Sequence, residues 1–292
     1  MHEPDERNIR RGMTTRKQSP RPPHKNRPGA APQGARPGPR RQGPGPKRPN
    51  KGGDDSYLYG FHAVSAALAN PDRDLKRLVL TRNAEAECAR DGISLTNDRG
   101  ILPEIMTNEE IADLLPHGAV HQGIALKASP LPELTIDEAC YGANRVLVLD
   151  QVTDPHNFGA ILRSAAVFGA TGLVTTERNS PVLGGVLAKA ASGALEKVKI
   201  ARITNLVRGM EELKELGFEV IGLDGEGDQA MHELKLGAKV ALVLGAEGAG
   251  LRRLTREHCD LLARLPAAGD MKSLNVSNAA AVALYELFRR SL

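Results

Sequence analysis

Six short strand-like runs between residues 145 and 265 leave this chain few folds to choose from. Arg145-Val-Leu-Val-Leu-Asp150 carries four consecutive apolar residues between its charged ends. A strand with one wet face alternates apolar and polar side chains. A run without alternation is buried on both faces, as in a parallel sheet covered by helices. Related runs at 172–175, 198–201, 218–222, 240–244 and 261–265 predict five more strands. Helical periodicity separates them at 158–168, 182–190, 205–216 and in the last stretch, up to Phe288. Strands alternating with helices predict an α/β fold with a mostly parallel, doubly wound sheet. A short helix at 136–139 precedes it.

A smaller unit is predicted upstream. Gly60, Ala63, Val64, Ala67 and Leu68 give a helical period that ends at Asn70-Pro71. Strands follow at 75–81, 101–105 and 121–126. Helices follow at 84–90 and 108–115, with Thr107 placed to cap the second. Residues 56–128 are thus read as a small α/β domain, 129–143 as a linker with one helix, and 144–292 as the main domain.

Residues 1–53 differ from the rest in composition. They hold 14 Lys and Arg against 3 Asp and Glu, a net charge of +11. The remainder holds 25 basic and 32 acidic residues, so the basicity of the whole chain belongs to this arm. Rich in Pro, Gly and Arg, it has little to bury, and a disordered arm is expected. A flexible segment of that length reaches on the order of 40 Å. Its charge suits a salt-sensitive tether for a polyanion such as RNA, or a solubility tail.

Three cysteines, Cys88, Cys140 and Cys259, stand far apart without metal or redox spacing. This suggests a reducing, cytoplasmic setting and no metal. The first residues lack the apolar core of a signal peptide, and no apolar run is long enough for a membrane span.

Three polar clusters follow predicted strands, at the strand ends where parallel sheets hold their ligands. The first is Asp154-Pro-His-Asn157-Phe-Gly159-Ala-Ile-Leu-Arg163. Gly159 and Arg163, four apart, share a helical face, and the glycine is expected to leave room for a ligand beside the guanidinium. Asn157 either caps that helix or lines the site. The second is Leu244-Gly245-Ala246-Glu247-Gly248-Ala-Gly250. A carboxylate inside a glycine turn makes a poor phosphate cradle, so this loop is read as a tight turn that presents backbone amides and one acid. The third is Leu265-Pro266, then Met271-Lys-Ser273-Leu274-Asn275-Val-Ser277-Asn278. It opens a helix whose stripe is Val276, Ala280, Ala283, Leu284 and Leu287. Ser273 either caps the helix or joins the site. The helix is apolar beyond one face, which suggests a second packing partner.

Together these clusters resemble the three signature motifs of the SpoU (TrmH-type) RNA ribose 2′-O-methyltransferases of the SPOUT class. Tyr59-Gly-Phe-His-Ala-Val64 and His121-Gln-Gly-Ile124 resemble the small RNA-binding domain of the subgroup acting on a guanosine of large-subunit ribosomal RNA. The resemblance implies a deep C-terminal trefoil knot, a homodimer through the C-terminal domain, and S-adenosylmethionine as cofactor. It assigns cofactor binding to Leu244, Gly245, Ala246, Gly248, Leu265, Pro266, Met271, Ser273, Leu274 and Asn275. It places Arg163 at the reaction centre with Asn157, Glu247, Ser273 and Asn275, and has Glu247 holding the guanidinium. Asn278 stands where relatives acting on tRNA also carry asparagine, so tRNA remains the alternative substrate. An inactive RNA-binding assembly factor is the alternative of another class. A Rossmann dehydrogenase is disfavoured, because Asp150-Gln-Val-Thr-Asp154 stands where its glycine fingerprint belongs.

Overall fold

The computed structural model describes residues 57–95, 101–269 and 273–292. The basic arm and Met271 lie outside these. The first elements are β1 (Tyr57–Tyr59), α1 (Phe61–Ala69), β2 (Leu75–Leu80), α2 (Arg82–Arg90), β3 (Glu104–Ile105), α3 (Asn108–Leu114) and β4 (Ile124–Ala128). Their four strands pair in the order β1-β4-β2-β3, antiparallel except for β2 with β3. Thr107 caps α3 in a reciprocal capping box with Glu110, as its position before Asn108 suggested.

The next elements are α4 (Ile136–Cys140), β5 (Arg145–Leu149), α5 (Pro155–Val167), β6 (Gly172–Thr176), α6 (Gly185–Ala191), β7 (Lys199–Ile203), α7 (Leu206–Glu215), β8 (Glu219–Leu223), β9 (Gln229–Ala230), β10 (Val240–Leu244), α8 (Arg253–Glu257), β11 (Leu261–Arg264) and α9 (Val276–Arg289). The sheet order is β7-β6-β5-β10-β8-β11-β9, and every neighbouring pair is parallel. Alternate residues of β5 serve opposite faces. Leu147 and Leu149 pack with α5, α6 and α9 residues, while Val146 and Val148 pack with α4 and α7 residues. That two-sided burial is why the run shows no alternation. From β5 the chain steps to β6 on one side, while β10 lies on the other. The carboxyl end of β5 is therefore the reversal point of this sheet.

Several elements depart from expectation. The 121–126 strand starts only at Ile124. Gln122 (φ 57°) and Gly123 (φ 76°) turn the chain first, and a Cβ on Gly123 would lie 2.6 Å from Thr81 Oγ1. The 101–105 strand shrinks to Glu104–Ile105, and the 182–190 helix starts at Gly185. β1, β9 and α8 have three, two and five residues, too few to show a period.

The small sheet is fastened to the large one. Leu58, Phe61 and Leu78 share a buried cluster with Leu147 and Phe158. Arg73 pairs with Glu196 at 2.6 Å, the two side chains only 3% and 4% exposed. Asn70 donates to the same carboxylate at 2.7 Å. The Lys189 amine and the Phe61 N–H both donate to Gln122 Oε1.

Candidate active site

The polar cluster forms where three strand ends meet. α5 begins after β5, and its cap is Asp154, not Asn157. The Asp154 carboxylate accepts from the backbone N–H of His156 (3.1 Å) and of Asn157 (3.2 Å), with Pro155 at the first helical position. That leaves the Asn157 side chain free to work. Its amide donates to Glu247 Oε2 at 3.0 Å. Asn275 in turn donates to Asn157 Oδ1 at 3.0 Å and to Glu247 Oε1 at 3.4 Å. Asn275 is also the cap of α9, accepting from the Ser277 N–H at 2.9 Å and from its hydroxyl at 2.6 Å. Those two donors fix which end of the Asn275 amide faces Asn157. Ser273, expected as a possible cap, is exposed and does not cap the helix.

The Glu247 loop is built to be rigid. Ala246 and Gly250 exchange both backbone hydrogen bonds, 3.1 and 2.9 Å, and Gly248 and Gly250 take positive φ of 79° and 67°. A Cβ on Gly245 would collide with Gly250 and Leu251, so only glycine closes this turn. Its far end is anchored to fully buried Asp150. That carboxylate accepts from Arg252 Nε (2.6 Å), Arg252 N–H (3.2 Å) and Thr255 Oγ1 (2.7 Å). Nothing in the sequence pattern marks Arg252 or Thr255 as partners of this acid. The buried acid that orders them was read as the end of a strand.

Two expectations about Arg163 are corrected. Gly159 does not make room beside it. A Cβ there would lie 2.6 Å from Ala190 Cβ and 2.8 Å from the Leu187 carbonyl, so the glycine permits α5 and α6 to cross closely. Glu247 does not hold the guanidinium either. Six residues along a helix turn a side chain roughly 120° away, so Asn157 and Arg163 face different directions. Arg163 is exposed and has no hydrogen bond or ion pair among the described residues. It lines a cleft of about 310 Å³ with His62, Ser192 and Lys197. The chain brings Asn157, Glu247 and Asn275 together and leaves Arg163 apart.

The expected cofactor residues that the structure describes lie at the end of β10 and after β10 and β11, which flank β8 in the sheet. Leu244 and Gly245 are buried, Ala246 and Leu265 partly so, and Gly248, Pro266, Ser273 and Leu274 exposed. Among the described residues the backbone N–H groups of Glu247, Gly248 and Ala249 have no partner, and nothing fills the space beside Gly248 or Gly250. Open amides on a fixed loop suit a ligand held by its polar edges. Among the described residues no three His, Cys, Asp or Glu side chains cluster as a metal site, and no helix is long and apolar enough to cross a membrane.

Residues 144–285 match the SpoU rRNA methylase family, and residues 57–134 match an RNA 2′-O ribose methyltransferase substrate-binding domain. The 23S rRNA (guanosine-2′-O-)-methyltransferase RlmB of Escherichia coli K12 is 38% identical over 241 residues, covering 80% of this chain and 98% of RlmB. This chain belongs to the SpoU rRNA methylase family. An uncharacterized tRNA/rRNA methyltransferase of Synechocystis is 40% identical, and this SpoU chain spans 62% of its length. Solved SpoU-type folds superimpose well. One is the SpoU methyltransferase AviRb of Streptomyces viridochromogenes, in complex with AdoMet (TM-score 0.67, 22% identity, 80% of this chain and 89% of that one). Another is a TrmH-family RNA methyltransferase of Porphyromonas gingivalis, described as putative (TM-score 0.63, 26% identity, 80% and 89%). In this SpoU chain the first, second and third motifs contribute Asn157, Glu247 and Asn275 respectively to one hydrogen-bonded cluster.

Proposed function

We propose that this chain transfers a methyl group from S-adenosylmethionine to the ribose 2′-hydroxyl of a guanosine in 23S ribosomal RNA, in the cytoplasm. The observation that carries this reading is the Asn157–Glu247–Asn275 cluster at the reversal point of the parallel sheet. It stands in a chain that aligns with nearly the whole of RlmB.

The unpaired amides of the Glu247 loop, with Leu244, Gly245, Ala246, Leu265, Pro266 and Leu274, are assigned to the cofactor, as is Met271, which lies outside the described residues. When bound, it supplies an electrophilic methyl on a sulfonium. The chain's own part is alignment and charge. Asn157 and Asn275, each fixed by Glu247, define a rigid polar wall against which the ribose is oriented. Ser273 borders that wall. Arg163 brings a positively charged fork of N–H donors. Its role is to hold the 2′-oxygen and to stabilise the negative charge that grows there, while water or an RNA phosphate takes the proton.

A homodimer completes this picture. Val167, Val282 and Tyr285 are exposed on α5 and α9, and the Tyr285 ring centroid lies 5.8 Å from that of Phe168. Arg163 lies one turn before Val167, so a partner seated on this face would remove Arg163 from bulk water and bring it a second wall. The return of α9 from β11 to pack on α5 supports reading the C-terminal segment as the closure of a trefoil knot. In this scheme residues 56–128 present the RNA, 129–143 connect, 144–292 carry the chemistry, and the arm 1–53 tethers the polyanion.

The test is transfer of labelled methyl from S-adenosylmethionine onto total RNA separated by size. Label in large-subunit ribosomal RNA is expected. Label in tRNA alone would move the substrate to tRNA. No label in any fraction would favour the assembly-factor reading.

A further inference from the structure

The small domain carries a second cavity, of about 360 Å³, between the start of α2 and the turn before β4. Small-ligand sites begin at about that size. Asn83 and Glu87, one turn apart on α2, face Asn108, Val120, His121 and Gln122 across it. The side chains of Asn83, Glu87 and Asn108 have no hydrogen-bond partner among the described residues. Val120 is 67% exposed at the rim. His121 Nδ1 accepts the Gly123 N–H at 3.1 Å, which places the ring proton on Nε2 when the ring is neutral. Burial lowers its pKa and favours that neutral form.

The chemistry of this lining is selective. Among the described residues no lysine or arginine lines the cavity, and Glu87 opposes a phosphate. Two free amides can each donate and accept, a carboxylate accepts from an amino or ring N–H, and an imidazole and a valine offer flat and apolar contact. That set matches a nucleobase with its pairing edge exposed. Proteins read RNA sequence mainly from such unpaired bases. We propose that this cavity receives one unpaired nucleobase of the RNA, outside the methyl-transfer site. The proposal rests on the reading that the substrate is RNA. Gln122 gives the pocket a mechanical link to the large domain. Its Oε1 accepts from Lys189 of α6, and the end of α6 is the surface packed against Gly159 of α5. A base held here is thus held at a fixed offset from α5.

The test compares the full-length protein with its Asn83→Ala/Asn108→Ala variant on a large-subunit rRNA fragment that the wild type binds. Both asparagines are exposed, so the melting curve should not move. RNA affinity should fall about tenfold, the worth of one base contact. At saturating RNA, kcat should be unchanged, as should S-adenosylmethionine affinity. The slope of log Kd against log salt should be unchanged too, because a base contact releases no counterion. A series of single abasic substitutions in the RNA should contain one position that weakens wild-type binding and adds nothing to the variant. Equal affinity of variant and wild type, a salt slope flattened by about one, or no such abasic position would overturn the proposal. The failure modes stay separate. Methylation with variant-insensitive binding sinks the pocket alone, whereas a pocket-dependent abasic effect without methyl transfer sinks the proposed activity alone.

Discussion

Replacing Glu196 by alanine should be among the most damaging single changes in this chain, although Glu196 lies outside the reaction site. Its carboxylate takes Arg73 Nη2 at 2.6 Å, Arg73 Nε at 3.2 Å and Asn70 Nδ2 at 2.7 Å. Both members of the ion pair are almost fully buried. Removing one partner of a buried pair costs about 3–5 kcal/mol, because the remaining charge keeps its desolvation penalty and loses its compensation. For a unit of this size each kcal/mol lowers Tm by roughly 2–4 °C, so Glu196→Ala should melt about 6–20 °C below wild type. Thermal unfolding followed by circular dichroism reads this directly. The double change Arg73→Met/Glu196→Leu provides the control. With both charges gone it should recover most of the loss, since apolar packing of similar volume replaces such pairs at little cost. A drop of less than about 2 °C in the single variant would refute the argument that this bridge fastens the small sheet to the large one. So would a double variant as unstable as the single.

Gly159→Ala should lower stability by about 1–3 kcal/mol by forcing α5 and α6 apart, and a Tm equal to wild type would contradict the close crossing. Asn275→Ala should lose about 1 kcal/mol as a helix cap, and Asn275→Ser should recover it. Methyl transfer should stay about 10- to 100-fold down in both variants, because neither can bond Asn157; full activity in the serine variant would limit Asn275 to capping. Burial pushes the Cys140 thiol up to about 11 and the Cys259 thiol up to about 12, so iodoacetamide at pH 8 should label them quickly only in denaturant. The unfolded chain releases these protons first, from a pKa near 9, so stability should fall as pH climbs from there toward 11. Fast native alkylation of Cys140 at pH 8 would contradict its burial.

Much of the fold was legible because burial on both faces writes itself into sequence. The continuous apolar runs of β5 and β10 have no other common explanation, and all six long-range strand runs are strands. β1 and β9, with three and two residues, were invisible because no period fits into so few positions. The site was only half legible. Motif spacing located Asn157, Glu247 and Asn275, but Asn157 and Asn275 are 118 residues apart, and nothing in spacing reveals a hydrogen bond over that separation. The caps were misplaced: Asp154, three positions before Asn157, caps α5, and Asn275, two positions after Ser273, caps α9. Asp154-Pro155 is itself a helix-start signal and was available in the sequence. The orientation of Arg163 depends on helix phase, and the task of Gly159 on a neighbour 31 residues away. The second needed coordinates; the first follows from the six-residue spacing of Asn157 and Arg163 on one helix.

The central claim is that the methyl group ends on a ribose oxygen of guanosine in large-subunit ribosomal RNA. Digesting that RNA to nucleosides after incubation with the protein and S-adenosylmethionine, and weighing the products, tests it directly. The account predicts that 2′-O-methylguanosine rises toward one per molecule with the wild-type protein, and not with Asn157→Ala. A methyl found on a base, on another ribose, or at equal yield with the variant would contradict it.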